Sequence, residues 1–163
     1  MNQVQWHSEA MVEALALAEQ AAADGEIPVG AVVVDRNGAI IGRGRNRRES
    51  GDPLGHAELY AIREAAESIG GWRLEGTTMV VTLEPCAMCA GALVNARVEK
   101  LIFATFDPKA GFCGSLGNLV QDPRLNHRLV VEMGLMEERA KQLLQDFFRR
   151  LRQRDKTERW QSG

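Results

Sequence analysis

Thr77-Thr78-Met79-Val80-Val81-Thr82-Leu83-Glu84-Pro85-Cys86-Ala87-Met88-Cys89 decides the fold. Its first seven residues form an apolar, β-branched run of strand length. Pro85 then opens a helix, because the N–H that proline lacks has no partner in a first helical turn anyway. Cys86 and Cys89, three residues apart, place both thiols on one face of that helix. The positive end of the helix dipole favours their thiolate forms.

Strands and helices alternate on either side of this junction. Ser8 is a plausible N-cap, followed by Met11, Leu15, Ala18 and Ala22 at helical spacing and by Gly25 as a stop. Residues 29–34 form a short apolar strand, Asp35-Arg36-Asn37-Gly38 a hairpin turn, residues 40–44 a returning strand and residues 49–53 a loop. A helix over about 55–68 has Leu59, Ile62, Ala66 and Ile69 on its inner face and ends at Gly70-Gly71. Two more strands, 101–105 and 129–132, precede a last helix from about 137 that buries Ala140, Leu143, Leu144, Phe147 and Leu151. This alternation implies an α/β sandwich around one five-stranded sheet.

With 163 residues, 45% apolar and 26% charged, the chain reads as a single globular domain over 1–163. No apolar run approaches the roughly 20 residues needed to cross a bilayer. The segment from Met1 to His7 lacks the basic start and apolar stretch of a secretory signal, so a cytoplasmic protein is expected. Three cysteines are too few for a disulfide framework, and Cys86 and Cys89 then mean metal ligation or redox chemistry. Cys113 receives no role. The net charge of −2 is uneven: from residue 147 onward six cations face two anions, a local +4 that leaves −6 on the remainder. Arg43, Arg45, Arg47 and Arg48 surround Asn46 in a second basic cluster. Two basic patches on an acidic body suit a polyanion held at one place, although a solvated helix end and a basic loop would look the same.

A second junction, Gly55-His56-Ala57-Glu58, completes the chemistry. One histidine and two cysteines make three zinc ligands, which leaves a tetrahedral ion one open position. A structural site takes a fourth ligand; Cys113 or His127 could supply one, but neither sits in a ligand-spaced pair. His56 and Glu58 diverge by roughly 200° in a helix body. They converge only if the metal lies off the helix tip, so both helix N-termini must point at the same spot. Glu58 can then take a proton from activated water and later deliver protons to a ring nitrogen and a departing amine. The alternative for Glu58 is a helix N-terminal acid stabilised by the dipole.

His56-Ala57-Glu58 followed by Pro85-Cys86-Ala87-Met88-Cys89 resembles the signature of the zinc nucleobase deaminases. Ile27-Pro28-Val29-Gly30-Ala31, Asn46-Arg47, Ala90-Gly91-Ala92, Asp107-Pro108-Lys109, Gly114-Ser115-Leu116, Asn126-His127-Arg128 and Phe147-Phe148-Arg149 are similar to the bacterial tRNA adenosine deaminase branch. The resemblance implies a three-layer α/β/α sandwich of the cytidine deaminase-like kind with a mixed sheet, usually a homodimer. It implies one Zn2+ per subunit on His56, Cys86 and Cys89, with Glu58 as proton shuttle. The reaction implied is conversion of the wobble adenosine of an arginine tRNA anticodon stem-loop to inosine. Asn46, Asp107 and Lys109 then face the target nucleotide, and Arg149, Arg150 and Arg152 on the basic helix and tail (147–163) meet the tRNA backbone. Each has a plainer reading as a turn or solvated residue. Asn126 and His127 shape the pocket or brace a loop. Gly55 stands where many members carry alanine, and Phe112-Cys113 where the loop is usually smaller. Two competing functions remain. Deamination of free guanine or cytosine leaves the basic tail unexplained, and a non-catalytic zinc-stabilised RNA-binding subunit leaves Glu58 unused.

Overall fold

Successive side chains of a strand face opposite ways, so strands that are apolar on both faces must be covered twice. In the computed structural model, which describes residues 2–162, this holds for the central strands. Residues 1 and 163, the ends of the expected domain, lie outside the described residues. The elements are α1 (Gln3–Ala23), β1 (Gly30–Val34), β2 (Ile40–Arg45), a 3-10 turn (Arg48–Ser50), α2 (Ala57–Ile69), β3 (Thr78–Leu83), α3 (Ala87–Asn95), β4 (Lys100–Thr105), β5 (Val130–Met133) and α4 (Glu137–Gln161). They build one mixed five-stranded sheet in the order β2-β1-β3-β4-β5. β1 is antiparallel to both β2 and β3, whereas β3, β4 and β5 run parallel.

Val33, Met79, Val81, Leu101 and Phe103 on one sheet face pack with Ala57, Ala61 and Ala65 of α2 and Leu93 and Val94 of α3. Val32, Val34, Val80, Ile102 and Ala104 on the other face pack with Met11, Ala14 and Leu15 of α1 and Ala140 of α4. The expected α/β/α sandwich is thus present.

The inner face of α2 differs from expectation. Its fully buried stripe is Ala57, Ala61 and Ala65; of the expected residues, Ile62 and Ala66 are half-buried and pack against the core, Leu59 is half-buried and Ile69 is 48% exposed. The cause lies on the facing strand. A Cβ on Gly42 would sit 2.2 Å from the Ala61 carbonyl oxygen, and one on Gly44 would sit 2.0 Å from that of Ala57. The helix rides directly on strand backbone, and only alanine fits at the seam.

Other differences are smaller. Helix α1 starts at Gln3, so Ser8 lies within it; Trp6 packs against the core and His7 is buried, which draws the extra turn into the fold. Pro85 precedes α3, and Cys86 is its N-cap in an extended conformation. The β1–β2 connection is not a tight Asn-Gly turn. Gly38 alone takes a positive φ, 85°, and the Asp35 carboxylate accepts from the backbone N–H groups of Asn37 and Ala39. In α4, Leu143, Leu144 and Leu151 are half-buried, and every residue from 152 to 162 is exposed.

Gly44→Ala should therefore destabilise the protein by about 3 kcal/mol or more, because its methyl group meets backbone rather than a movable side chain. Urea unfolding checks this; a loss near zero would contradict the seam.

Candidate metal centre

Helices α2 and α3 start on the same edge of the sheet, and the residue at each start carries a metal-ligand side chain. His56 is the N-cap of α2 with extended backbone, φ −88° and ψ 144°. Cys86 is the N-cap of α3, and Cys89 sits one turn in. Neither N-cap side chain makes a capping hydrogen bond, and both face the space between the tips. There His56 Nδ1 lies 3.4 Å from Cys86 Sγ and 3.5 Å from Cys89 Sγ. The three ligand atoms fall within 4.8 Å of one another.

These residues fit a zinc ion. One imidazole and two thiols are a borderline-soft donor set at the separations a single tetrahedral ion spans. Among the described residues no fourth side chain joins the group. His127 bonds the Val98 carbonyl oxygen at 2.7 Å, which is the bracing role. Cys113 is buried and is not among the side chains whose ligand atoms converge.

The Cys89 thiol donates to Cys86, and with His56 it draws the Cys86 pKa down to about 4 against the cost of burial. Donation to Cys86 and burial hold the Cys89 proton correspondingly tightly. The bond to Cys86 raises His56. Glu58, in the first turn of α2, is 4% exposed, and burial pushes its carboxyl up from the ordinary value. His56 as N-cap and Glu58 inside the turn meet around the helix tip, which resolves the angular conflict of their spacing.

Two loops rim this centre, each tied to a buried glutamate that the sequence reading passed over. Glu26 accepts from the backbone N–H groups of Glu49 and Ser50 and from the Ser50 hydroxyl, all at 2.9 Å. Glu84 accepts from the N–H groups of Asp107, Cys113 and Ser115, each at 3.0 Å, and from the Ser115 hydroxyl. Burial would raise Glu84, but these bonds, led by Ser115, hold it below the ordinary carboxylate range. A charge in an otherwise apolar run such as 77–84 is the signal that could have flagged it.

The expected substrate residues are distributed unevenly. Asn46 is 8% exposed; its amide nitrogen donates to the Ile27 carbonyl oxygen and its oxygen accepts from the Arg48 N–H. Asp107 uses Oδ1 to accept from the N–H groups of Lys109 and Ala110, while the Lys109 side chain is exposed. Arg149, Arg150 and Arg152 project from α4, which packs on the opposite sheet face from α2 and α3, and Arg149 pairs with Asp146 at 2.9 Å. Half of the other basic cluster is internally engaged. Arg43 pairs with Glu13 and Arg45 with Asp24 of the loop after α1, and the Arg47 guanidinium lies 5.3 Å from the centre of the Tyr60 ring.

Residues 4–105 match the model of the cytidine and deoxycytidylate deaminase zinc-binding region. The chain belongs to this deaminase family. The matched span contains both helix tips and ends before Asp107 and Lys109. Among similar deaminases, the tRNA-specific adenosine deaminase of Bacillus subtilis is 50% identical over 150 residues, 91% of this chain and 92% of that one. A structure from a study of A-to-I editing by tRNA:A34 deaminases at the wobble position superimposes with a TM-score of 0.79 at 40% identity, covering 83% of this chain and 99% of that one. The guanine deaminase of Nitrosomonas europaea has a TM-score of 0.75 at 25% identity, covering 86% and 83%.

Zinc binds Cys86 and Cys89 as thiolates, so its uptake releases thiol protons and weakens as pH falls. Calorimetry in two buffers of different ionisation heat measures the release. Cys89→Ala should lower zinc affinity by about 100-fold or more by competition against a chelator.

Proposed function

We infer that the protein is a zinc-dependent hydrolase that deaminates adenosine to inosine in transfer RNA. What carries this reading is one coincidence. The chain that brings three zinc ligands and a buried acid together is also 50% identical along 91% of its length to a tRNA-specific adenosine deaminase.

Zinc held by His56, Cys86 and Cys89 would supply Lewis acidity, which would let water lose a proton near neutral pH. Glu58 accepts that proton as the water oxygen bonds to C6 of the purine, and delivers it to N1. It then moves the second proton to N6; the C6–N6 bond breaks toward nitrogen, ammonia leaves and the 6-oxo group remains. A carboxyl raised by burial is suited to both halves of this exchange, since it must hold a proton and release it at the same pH.

Recognition is proposed as follows. The target is the wobble adenosine in the anticodon stem-loop of an arginine tRNA, acted on in the cytoplasm by a homodimer. Residues 1–163 work as one deaminase domain with a basic end. Asn46 has one amide proton and a carbonyl lone pair beyond its two internal bonds, enough to meet a base edge or ribose. Asp107 accepts from a sugar hydroxyl, Lys109 faces phosphate, and Arg149, Arg150 and Arg152 hold the backbone.

Glu58→Ala should lower inosine formation in an arginine tRNA anticodon stem-loop by about a thousand-fold while leaving zinc content near that of the wild type. Consumption of free guanine with no inosine in the RNA would replace this reading with a free-base deaminase. Normal turnover by the variant would remove Glu58 from the chemistry.

A further inference from the structure

Glu84 does nothing in the mechanism above, yet it is the carboxylate nearest in sequence to the α3 tip and is only 2% exposed. Among the described residues it has no cation partner, and burying such a group is costly unless donors surround it. Four do. Oε1 accepts from the Asp107 N–H and the Ser115 hydroxyl, and Oε2 accepts from the N–H groups of Cys113 and Ser115. The donors come from both ends of one irregular segment, 107–115, where the N–H groups of Asp107, Cys113 and Ser115 find their acceptor on this carboxylate.

The segment is also sewn to the metal centre. Phe112 N–H donates to the Pro85 carbonyl oxygen at 2.9 Å, and Gly111 forms an antiparallel bridge with Cys86. A Cβ on Gly111 would lie 2.2 Å from the Glu84 carboxyl carbon, so glycine there lets the loop close over the carboxylate. Asp107 caps the turn to Ala110 with Oδ1 alone, which leaves Oδ2 for a substrate hydroxyl, and its place in space is fixed by its N–H on Glu84.

We propose that Glu84 is a positioning residue: its carboxylate clamps segment 107–115 against the helix tip bearing Cys86, and thereby sets where Asp107 and Lys109 meet the nucleotide. The proposal rests on the recognition scheme above. Glutamine is the informative replacement, since it keeps the shape but turns one acceptor into a donor. Whichever way the amide faces, its NH2 opposes at least one backbone N–H. The loop should loosen while the zinc ligands stay in place.

The test compares wild type, E84Q, D107A and the double variant on the anticodon stem-loop, with zinc content and amide hydrogen exchange measured for each. E84Q should keep its zinc, speed exchange across 107–115 and lower kcat/KM by about ten-fold. The double variant should be no worse than the poorer single variant by more than about three-fold, because one placement cannot be lost twice. Losses that multiply, activity within two-fold of wild type, or loss of zinc in E84Q would each overturn the proposal. If D107A alone is silent, the role given to Asp107 fails instead, and exchange in E84Q decides by itself: an unchanged rate across 107–115 ends the positioning role. S115A, which deletes only the hydroxyl donor, carries the same comparison if E84Q does not fold.

Discussion

Strand direction is the constraint on which the centre depends. β2 and β3 each lie beside β1 and run opposite to it, so they run the same way and end on the same sheet edge. Each end leads into a helix, and both helix N-termini therefore face that edge, separated by a single strand. Reversing either strand would send one tip to the far edge, and His56 could not reach the thiols. The same arrangement sums two positive dipole ends over the group, where thiolates and developing negative charge gain most. Packing reinforces it: with glycine at positions 42 and 44, α2 sits close enough to the sheet for its tip to lean toward α3.

Three glutamates are buried around this edge, and the donors available to each decide what it does. Glu26 and Glu84 are each surrounded by backbone N–H groups and a serine hydroxyl, and each anchors a rim loop. Glu58 is comparably buried but poorly supplied, and burial outweighs the little it receives. A carboxylate with its lone pairs filled is inert; one left short is ready to take a proton. Structural and chemical acids are thus separated by hydrogen-bond supply rather than by residue type.

Much of this was legible in the chain. Strand runs of β-branched residues, the C-x-x-C at a strand end and the His-x-Glu at another carry strong local signals, and each element was placed to within a few residues except the start of α1. The convergence of the two junctions followed from chemistry alone, since an imidazole at one strand end and two thiols at another make three ligands only around one ion. The inner face of α2 was not legible. Leu59, Ile62 and Ile69 have the greater hydrophobicity, but the facing glycines lie on another element, so no pattern within 57–69 reveals that only alanine fits. Glu26 and Glu84 escaped for the same reason, because their partners lie 23 to 31 residues away. Asn46 shows the reverse: an amide that reads as a substrate contact is first of all the brace between Ile27 and Arg48.

The two basic regions do different physical work. Arg48 adjoins Asn46 on the rim, whereas the α4 arginines belong to the layer behind the sheet. Layers stack about 10 Å apart, so the two helix layers are separated by about 20 Å. That exceeds the Debye length of about 8 Å at physiological salt, and exposed charges across such a gap barely sense a phosphate at the centre. On the proposed reading, Arg149, Arg150 and Arg152 would therefore act on RNA at a distance from the reacting base, by gripping the stem or hastening its arrival. Neither contribution changes the chemical step. On the same reading, placement of the base would fall to the rim loops, which two buried carboxylates hold in shape.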